Sequence, residues 1–129
     1  MQTVGDVMST TLLTVDATEL LTDAAAQMDA RGVGAVLVMN GERLSGILTE
    51  RDVLHAVATG GIEGTKVGAW MTQDPDTVGP DERPGHAAAI MIHGGFRHLP
   101  VLDGDKAVGI VSIRDLVRVV IADESPRGA

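Results

Sequence analysis

Two short stretches of the chain, GILTERD from Gly46 to Asp52 and GIVSIRD from Gly109 to Asp115, each place a hydroxyl and a carboxylate three residues apart directly after an apolar run. That spacing serves two kinds of chemistry. A Ser or Thr followed at the third position by a carboxylate can cap a helix, each side chain bonding the other's backbone N–H; such a cap contributes about 1 kcal/mol. The same pair at a helix N-terminus can instead grip a polar ligand, because the free backbone N–H groups there favour anions. For Thr49 with Asp52, and for Ser112 with Asp115, spacing alone leaves both readings open.

The elements that must position these groups occur twice. An offset of 63 residues pairs Val4-Gly5 with Val67-Gly68, Met8 with Met71, Glu19 with Glu82, Gly32 with Gly95, Gly41 with Gly104 and Asp52 with Asp115, without a gap. Internal repetition on this scale marks a tandem duplication. Each copy reads as β-α-β-β-α. In the first, a strand near Leu12 to Val15 precedes a helix capped by Asp16 or Thr18 and stopped by Gly32. Strands Ala35 to Met39 and Leu44 to Leu48 are then joined by the tight-turn dipeptide Asn40-Gly41, and a helix follows Thr49 to about Thr59. The second copy has Asp103-Gly104 at its turn and a helix after Ser112. The expected organisation is a first unit over 1–60, a flexible glycine-rich linker over 61–66, a second unit over 67–122 and a frayed tail over 123–129. The fold class is α/β in the broad sense, more strictly α+β, with the two units packed in pseudo-two-fold symmetry through their small sheets.

Composition narrows the function. At 129 residues and 44% hydrophobic content the chain can bury a real core. Eighteen acidic against ten basic residues give a net charge of -8, and aromatic residues make up 2%. Such a surface repels phosphate backbones and offers little to stack on bases, so direct nucleic-acid binding is not expected. No apolar run spans a bilayer and no signal peptide is legible, which points to a soluble cytoplasmic protein without a membrane partner. With no Cys there is neither a disulfide framework nor a thiolate zinc site. His86 and His93 are seven apart on one helix, a spacing that does not chelate a metal unaided, so no metal is expected. No nucleophile is accompanied by a base and an orienting group, and no catalytic residue is assigned.

The whole pattern resembles a tandem pair of cystathionine-β-synthase (CBS) domains, a Bateman module. The resemblance runs from Val4 to about Val120. It rests on VGDVMS and KVGAWMT at the unit starts, on GAVLVMNGERLSGILTERDV in the first copy and on RHLPVLDGDKAVGIVSIRDL in the second. It implies a stand-alone regulatory module that binds an adenosyl compound (AMP, ADP, ATP or S-adenosylmethionine, with or without magnesium) in clefts between the paired units. No obligatory cofactor is implied. It further implies that Thr49 or Ser112 contacts phosphate or ribose while Asp52 or Asp115 takes the ribose diol, that the protein is a homodimer, and that ligand binding alters contact with a protein partner.

By the same resemblance the two clefts are unequal. Cleft A would combine Ser112, Arg114 and Asp115 with the basic pair Arg97-His98 and with base contacts from Met8, Leu13, Val33, Gly34 and Ala35. Cleft B would combine Thr49, Arg51 and Asp52 with Met71, Asp76 and Phe96, and Gly34-Ala35 stands there in place of the basic pair. A charged phosphate is therefore expected in A before B. The other reading is a structural or interaction protein whose helices dock on a second copy or a partner. Met8, Met28, Met39, Met71, Met91 and Trp70 read as core, with Trp70 a candidate dimer contact.

Overall fold

Buried apolar spacing and glycine stops set the helices, and the computed structural model describes residues 2–123. Helix α1 (Val4–Val7) leads into strand β1 (Thr14–Val15), helix α2 (Leu21–Arg31), strands β2 (Ala35–Asn40) and β3 (Arg43–Thr49) and helix α3 (Glu50–Ala58). A short 3-10 helix (Val67–Ala69) precedes β4 (Thr72–Gln73), α4 (Pro84–Gly94), β5 (His98–Asp103), β6 (Lys106–Ser112) and α5 (Ile113–Asp123). This is the α+β repeat expected from the sequence. The tail expected over 123–129 lies outside the described residues except for Asp123, the last residue of α5.

In α2 the buried residues are Leu21, Ala24 and Met28, a single stripe at helical spacing. Gly32 and Gly95 close α2 and α4 in the left-handed conformation at φ 64 and 73, which costs a residue without a Cβ nothing. The hairpins turn at Gly41 and Gly104, also at positive φ. Sheet order is β1-β2-β3-β4, with β1 parallel to β2 and the other pairs antiparallel, and β5 pairs antiparallel with β6.

The chain forms two compact units that are offset from the repeats. One holds Leu12–Pro75; the other holds Met1–Thr11 together with Asp76–Ala129. The opening arm of each repeat thus belongs to the unit built on the other repeat, and the bonds that hold it there are the same in both. Val4 and Gly5 donate their N–H groups to the carbonyls of Glu82 and Pro80, both at 2.8 Å. Val67 and Gly68 donate to Glu19 and Ala17, both at 2.9 Å. Val4 and Val67 are each 0% exposed, within the core clusters of their respective units. Beyond the valine, Ser9 bridges Ile110 while Thr72 pairs with Ile47, so each arm adds to the edge of a long hairpin strand. The arms differ locally: Thr3 and Asp6 exchange capping bonds and wind the first arm into α1, whereas Lys66 and Ala69 in the equivalent places leave a 3-10 turn.

Arm docking explains where the structure departs from the sequence-based reading. Neither Asp16 nor Thr18 caps α2, whose first residue is Leu21 and whose N-cap is Leu20. Asp16 instead accepts from the Thr18 N–H and hydroxyl at 2.9 and 2.8 Å, and Glu19 returns its carboxylate to the Asp16 N–H at 2.7 Å. These bonds to Thr18 hold the Asp16 carboxyl below its ordinary value. They also hold the turn that presents the Glu19 carbonyl to Val67. In the second unit the Glu82 carboxylate likewise accepts from the Gly79 N–H. The end of the glycine-rich connection is held rather than loose: Thr65 accepts from Leu21 N–H at 2.9 Å, and its hydroxyl accepts from Trp70 Nε1 at 3.2 Å. Trp70 packs against the core of the Leu12–Pro75 unit, as expected of a core residue.

A Cβ on Gly46 would lie 2.7 Å from the Thr72 carbonyl oxygen and 2.8 Å from Met71 Sδ. Gly46→Ala should therefore lower unfolding free energy by about 1–3 kcal/mol in urea denaturation. Gly85→Ala, on α4 with nothing within 4 Å of the added carbon, should raise it by about 0.4–1 kcal/mol. Equal effects at both positions would contradict close packing of the arm.

Candidate functional site

Strands β3 and β6 run straight into helices α3 and α5, and the hydroxyl residues stand at the junctions. Thr49 is extended, at φ -118 and ψ 165, and caps α3. Its N–H donates to Asp52 Oδ2 at 2.8 Å, its hydroxyl donates to the same oxygen at 3.1 Å, and it accepts from the Asp52 N–H at 3.4 Å. In the second copy the Ser112 N–H donates to Asp115 Oδ2 at 2.8 Å, and the Asp115 N–H donates to Ser112 Oγ at 3.1 Å. Both motifs are therefore working helix caps. One carboxylate oxygen carries the cap bond from the N–H, and a carboxylate has acceptor capacity on its second oxygen as well. The cap and ligand readings are thus compatible.

Strand pairing brings the basic pair to the second motif. His98 stands opposite Ser112 across the β5–β6 ladder, and the carbonyl of Arg97 accepts the N–H of Ile113, the first residue of α5, at 2.9 Å. The first copy uses the same frame with other residues: Ala35 faces Thr49, and the Gly34 carbonyl accepts the Glu50 N–H at 3.0 Å. Met8 is placed by its arm against Gly109, and Met71 against Gly46.

Of the residues expected at cleft A, Met8, Arg97, His98, Ser112, Arg114 and Asp115 belong to one unit, whereas Leu13, Val33, Gly34 and Ala35 belong to the other. Of those expected at cleft B, Thr49, Arg51, Asp52 and Met71 share the Leu12–Pro75 unit, and Asp76 and Phe96 lie in its counterpart. Arg97, Arg114 and Arg51 are exposed, while His98, Ser112, Asp115, Thr49 and Asp52 are partly buried.

Sequence reasoning passed over Arg118. Its Nη1 lies 3.7 Å from Asp115 Oδ1, and both residues line an open depression of about 270 Å3 with Gln2, Val7 and Val119. The i, i+3 spacing of an acid and a base on one helix was the available signal. Its equivalent in the first copy is His55, so the second copy carries Arg97, Arg114 and Arg118 where the first carries Gly34, Arg51 and His55. Among the described residues no group of three or more acidic or histidine side chains could hold a metal. His86 is spoken for by Glu82, whose Oε1 lies 2.9 Å from its Nε2. No helix of the described residues is long and apolar enough to cross a membrane.

The duplicated frame agrees with comparison to known proteins: a family model described as CBS domain matches residues 4–59 and again 67–122. The chain belongs to the CBS domain family. The CBS domain-containing protein YhcV of Bacillus subtilis is 32% identical over 100% of this chain and 93% of its own length. A solved structure of a protein with CBS domains from Burkholderia ambifaria has a TM-score of 0.90 at 36% identity, covering 96% of this chain and 97% of that one. The structure of CBSX2 in complex with AMP has a TM-score of 0.82 at 26% identity, covering 96% and 99% respectively. The CBS pair of this chain is thus matched over nearly its whole length by other CBS proteins.

Removing one partner of a cap leaves an orphan N–H at the helix start. Thr49→Ala and Ser112→Ala should each cost about 1 kcal/mol of stability in chemical denaturation. No loss at either position would show that the helices do not depend on these caps.

Proposed function

We propose that this CBS pair is a regulatory module, not an enzyme, which binds an adenosyl compound through the Ser112–Asp115 motif and thereby changes its contacts with a partner. The observation that carries the reading is the gathering of Arg97, His98, Ser112 and Asp115 around the first turn of α5 within one unit. A phosphate there would meet the positive end of the α5 dipole and the Arg97 guanidinium, a planar fork suited to phosphate oxygens. The Asp115 carboxylate, with Oδ2 on the cap, would offer Oδ1 to a ribose hydroxyl. The complex of CBSX2 with AMP supports this ligand class. The Thr49–Asp52 motif, with Gly34-Ala35 in place of the basic pair, is proposed as the weaker site, with Arg51 and Met71 of the same unit. Magnesium is proposed only as a companion of a di- or triphosphate.

The test is thermal unfolding of nucleotide-free protein against AMP, ADP, ATP and S-adenosylmethionine, each with and without magnesium. A ligand at 100 times its dissociation constant should add about 2.7 kcal/mol. The gain should vanish in Asp115→Ala and persist in Asp52→Ala. No shift with any of these compounds would overturn the reading.

A second reading, assembly through helices, is favoured by apolar side chains left in solvent. Leu54 and Val57 on α3 are 65% and 55% exposed, and Val117 and Ile121 on α5 are 46% and 62% exposed. We propose that these faces form a homodimer. Light scattering should give twice the chain mass, falling to the chain mass in Leu54→Asp with Val117→Asp; chain mass in the unaltered protein would count against the dimer.

A further inference from the structure

The arms are held by a recognition code that is complete within a few residues. Each unit offers a pair of turn carbonyls, Ala17 and Glu19 in one and Pro80 and Glu82 in the other, to the successive N–H groups of a Val-Gly dipeptide. Each has an apolar socket that takes the valine out of solvent entirely. Each then places a side-chain-free position, Gly46 or Gly109, under the methionine of the arm, and pairs the next strand residue with the Ser or Thr that follows it. The segments that satisfy these features read Val-Gly-x-x-Met-Ser at Val4 to Ser9 and Val-Gly-x-x-Met-Thr at Val67 to Thr72. Every one of these contacts lies inside a unit, and none uses the peptide between Glu63 and Gly64. Glu63 is exposed, Gly64 turns at φ 70 with nothing within 4 Å of its Cβ position, and Thr65 is the first residue whose carbonyl is used.

We propose that each unit is a receptor for a Val-Gly-x-x-Met-[Ser/Thr] segment supplied in trans, so that the two repeats recognise and hold one another through their exchanged arms when no peptide bond joins them. The partner of each repeat is a second CBS repeat that opens with this segment. Two arms engaging at once add to one another, because after the first docks the second binds at high effective concentration.

The test cuts the full chain once, at a protease site inserted between Glu63 and Gly64. Native mass spectrometry reads the assembly of the cut protein. Dilution followed by Trp70 emission reads arm docking, since the single tryptophan stands in the second arm and donates to Thr65. At micromolar concentration the cut protein should keep the mass of the two fragments together, with Trp70 emission as in the uncut chain. Gly46→Val places a side chain on the Thr72 carbonyl and Met71, and should move the dilution midpoint at least about tenfold upward. Gly68→Ala, whose Cβ would lie 3.2 Å from the Ala17 carbonyl oxygen, should move it in the same direction by less. Circular dichroism of the uncut variants checks that they fold; should Gly46→Val unfold the uncut chain, Gly68→Ala decides the matter. Fragments that part at micromolar concentration overturn the proposal. So does a dilution midpoint that both substitutions leave in place, because contacts other than the arms would then hold the fragments.

Discussion

The structure depends on a backbone constraint: the Val-Gly dipeptide that opens each repeat finds its hydrogen-bond acceptors in the turn of the other repeat. Buried N–H groups must be paired, and for Val4 and Val67 the partners are the carbonyls of Glu82 and Glu19. Much else follows from satisfying that requirement. The carboxylates of Glu19 and Glu82 turn back onto Asp16 and Gly79, so the residues ahead of α2 and α4 form a fixed turn rather than a helix cap. Glycine at 5, 46, 68 and 109 removes side chains where the arms pass closest to backbone or to methionine sulfur. Full burial of each valine adds about 1.5–3 kcal/mol of apolar transfer to the docking.

The same arms reach the motifs that carry the chemistry. Ser9 pairs with Ile110 and Thr72 with Ile47, each two residues ahead of a cap hydroxyl. The strand that ends in Thr49 or Ser112 is thereby flanked on both sides, by its hairpin partner and by an arm. The helix that follows starts at a defined place because its cap is formed and its first N–H is bonded to Gly34 or Arg97. A carboxylate held in this way has lost its freedom before any ligand arrives, which lowers the ordering cost of binding.

Duplication supplied two equal frames, and substitution made them unequal. Where one frame presents Gly34, Ala35 and His55, the other presents Arg97, His98 and Arg118. The chain as a whole has a net charge of -8, so at these positions the second frame is basic against an acidic background. The acidic surface and the basic corner have opposite effects on a phosphate. Charges separated by more than about 8–10 Å are screened at physiological salt, so near groups outweigh distant ones at either frame.

The repeat, the α-β-β-α run of each copy, the hairpin turns at Gly41 and Gly104 and the helix stops at Gly32 and Gly95 were all legible in the sequence, because each is decided by residues near one another along the chain; the opening strand expected of each copy forms as β1 in the first but is only a single parallel bridge, Val78 to Val101, in the second. The caps at Thr49 and Ser112 were legible as one of two readings for the same reason. The exchange of arms was not. Val4 lies 78 residues from Glu82, and neither Val-Gly nor the turn carbonyls have any property in isolation that names the partner. For the same reason Asp16 and Thr18 looked like caps, and the end of the glycine-rich connection looked free until Leu21 and Trp70 were seen to bond Thr65. Local chemistry along the chain determined the elements and the groups available for binding. Tertiary structure alone decided which repeat completes which sheet, because that choice is made by backbone groups every residue carries alike, and only their positions in space distinguish one partner from another.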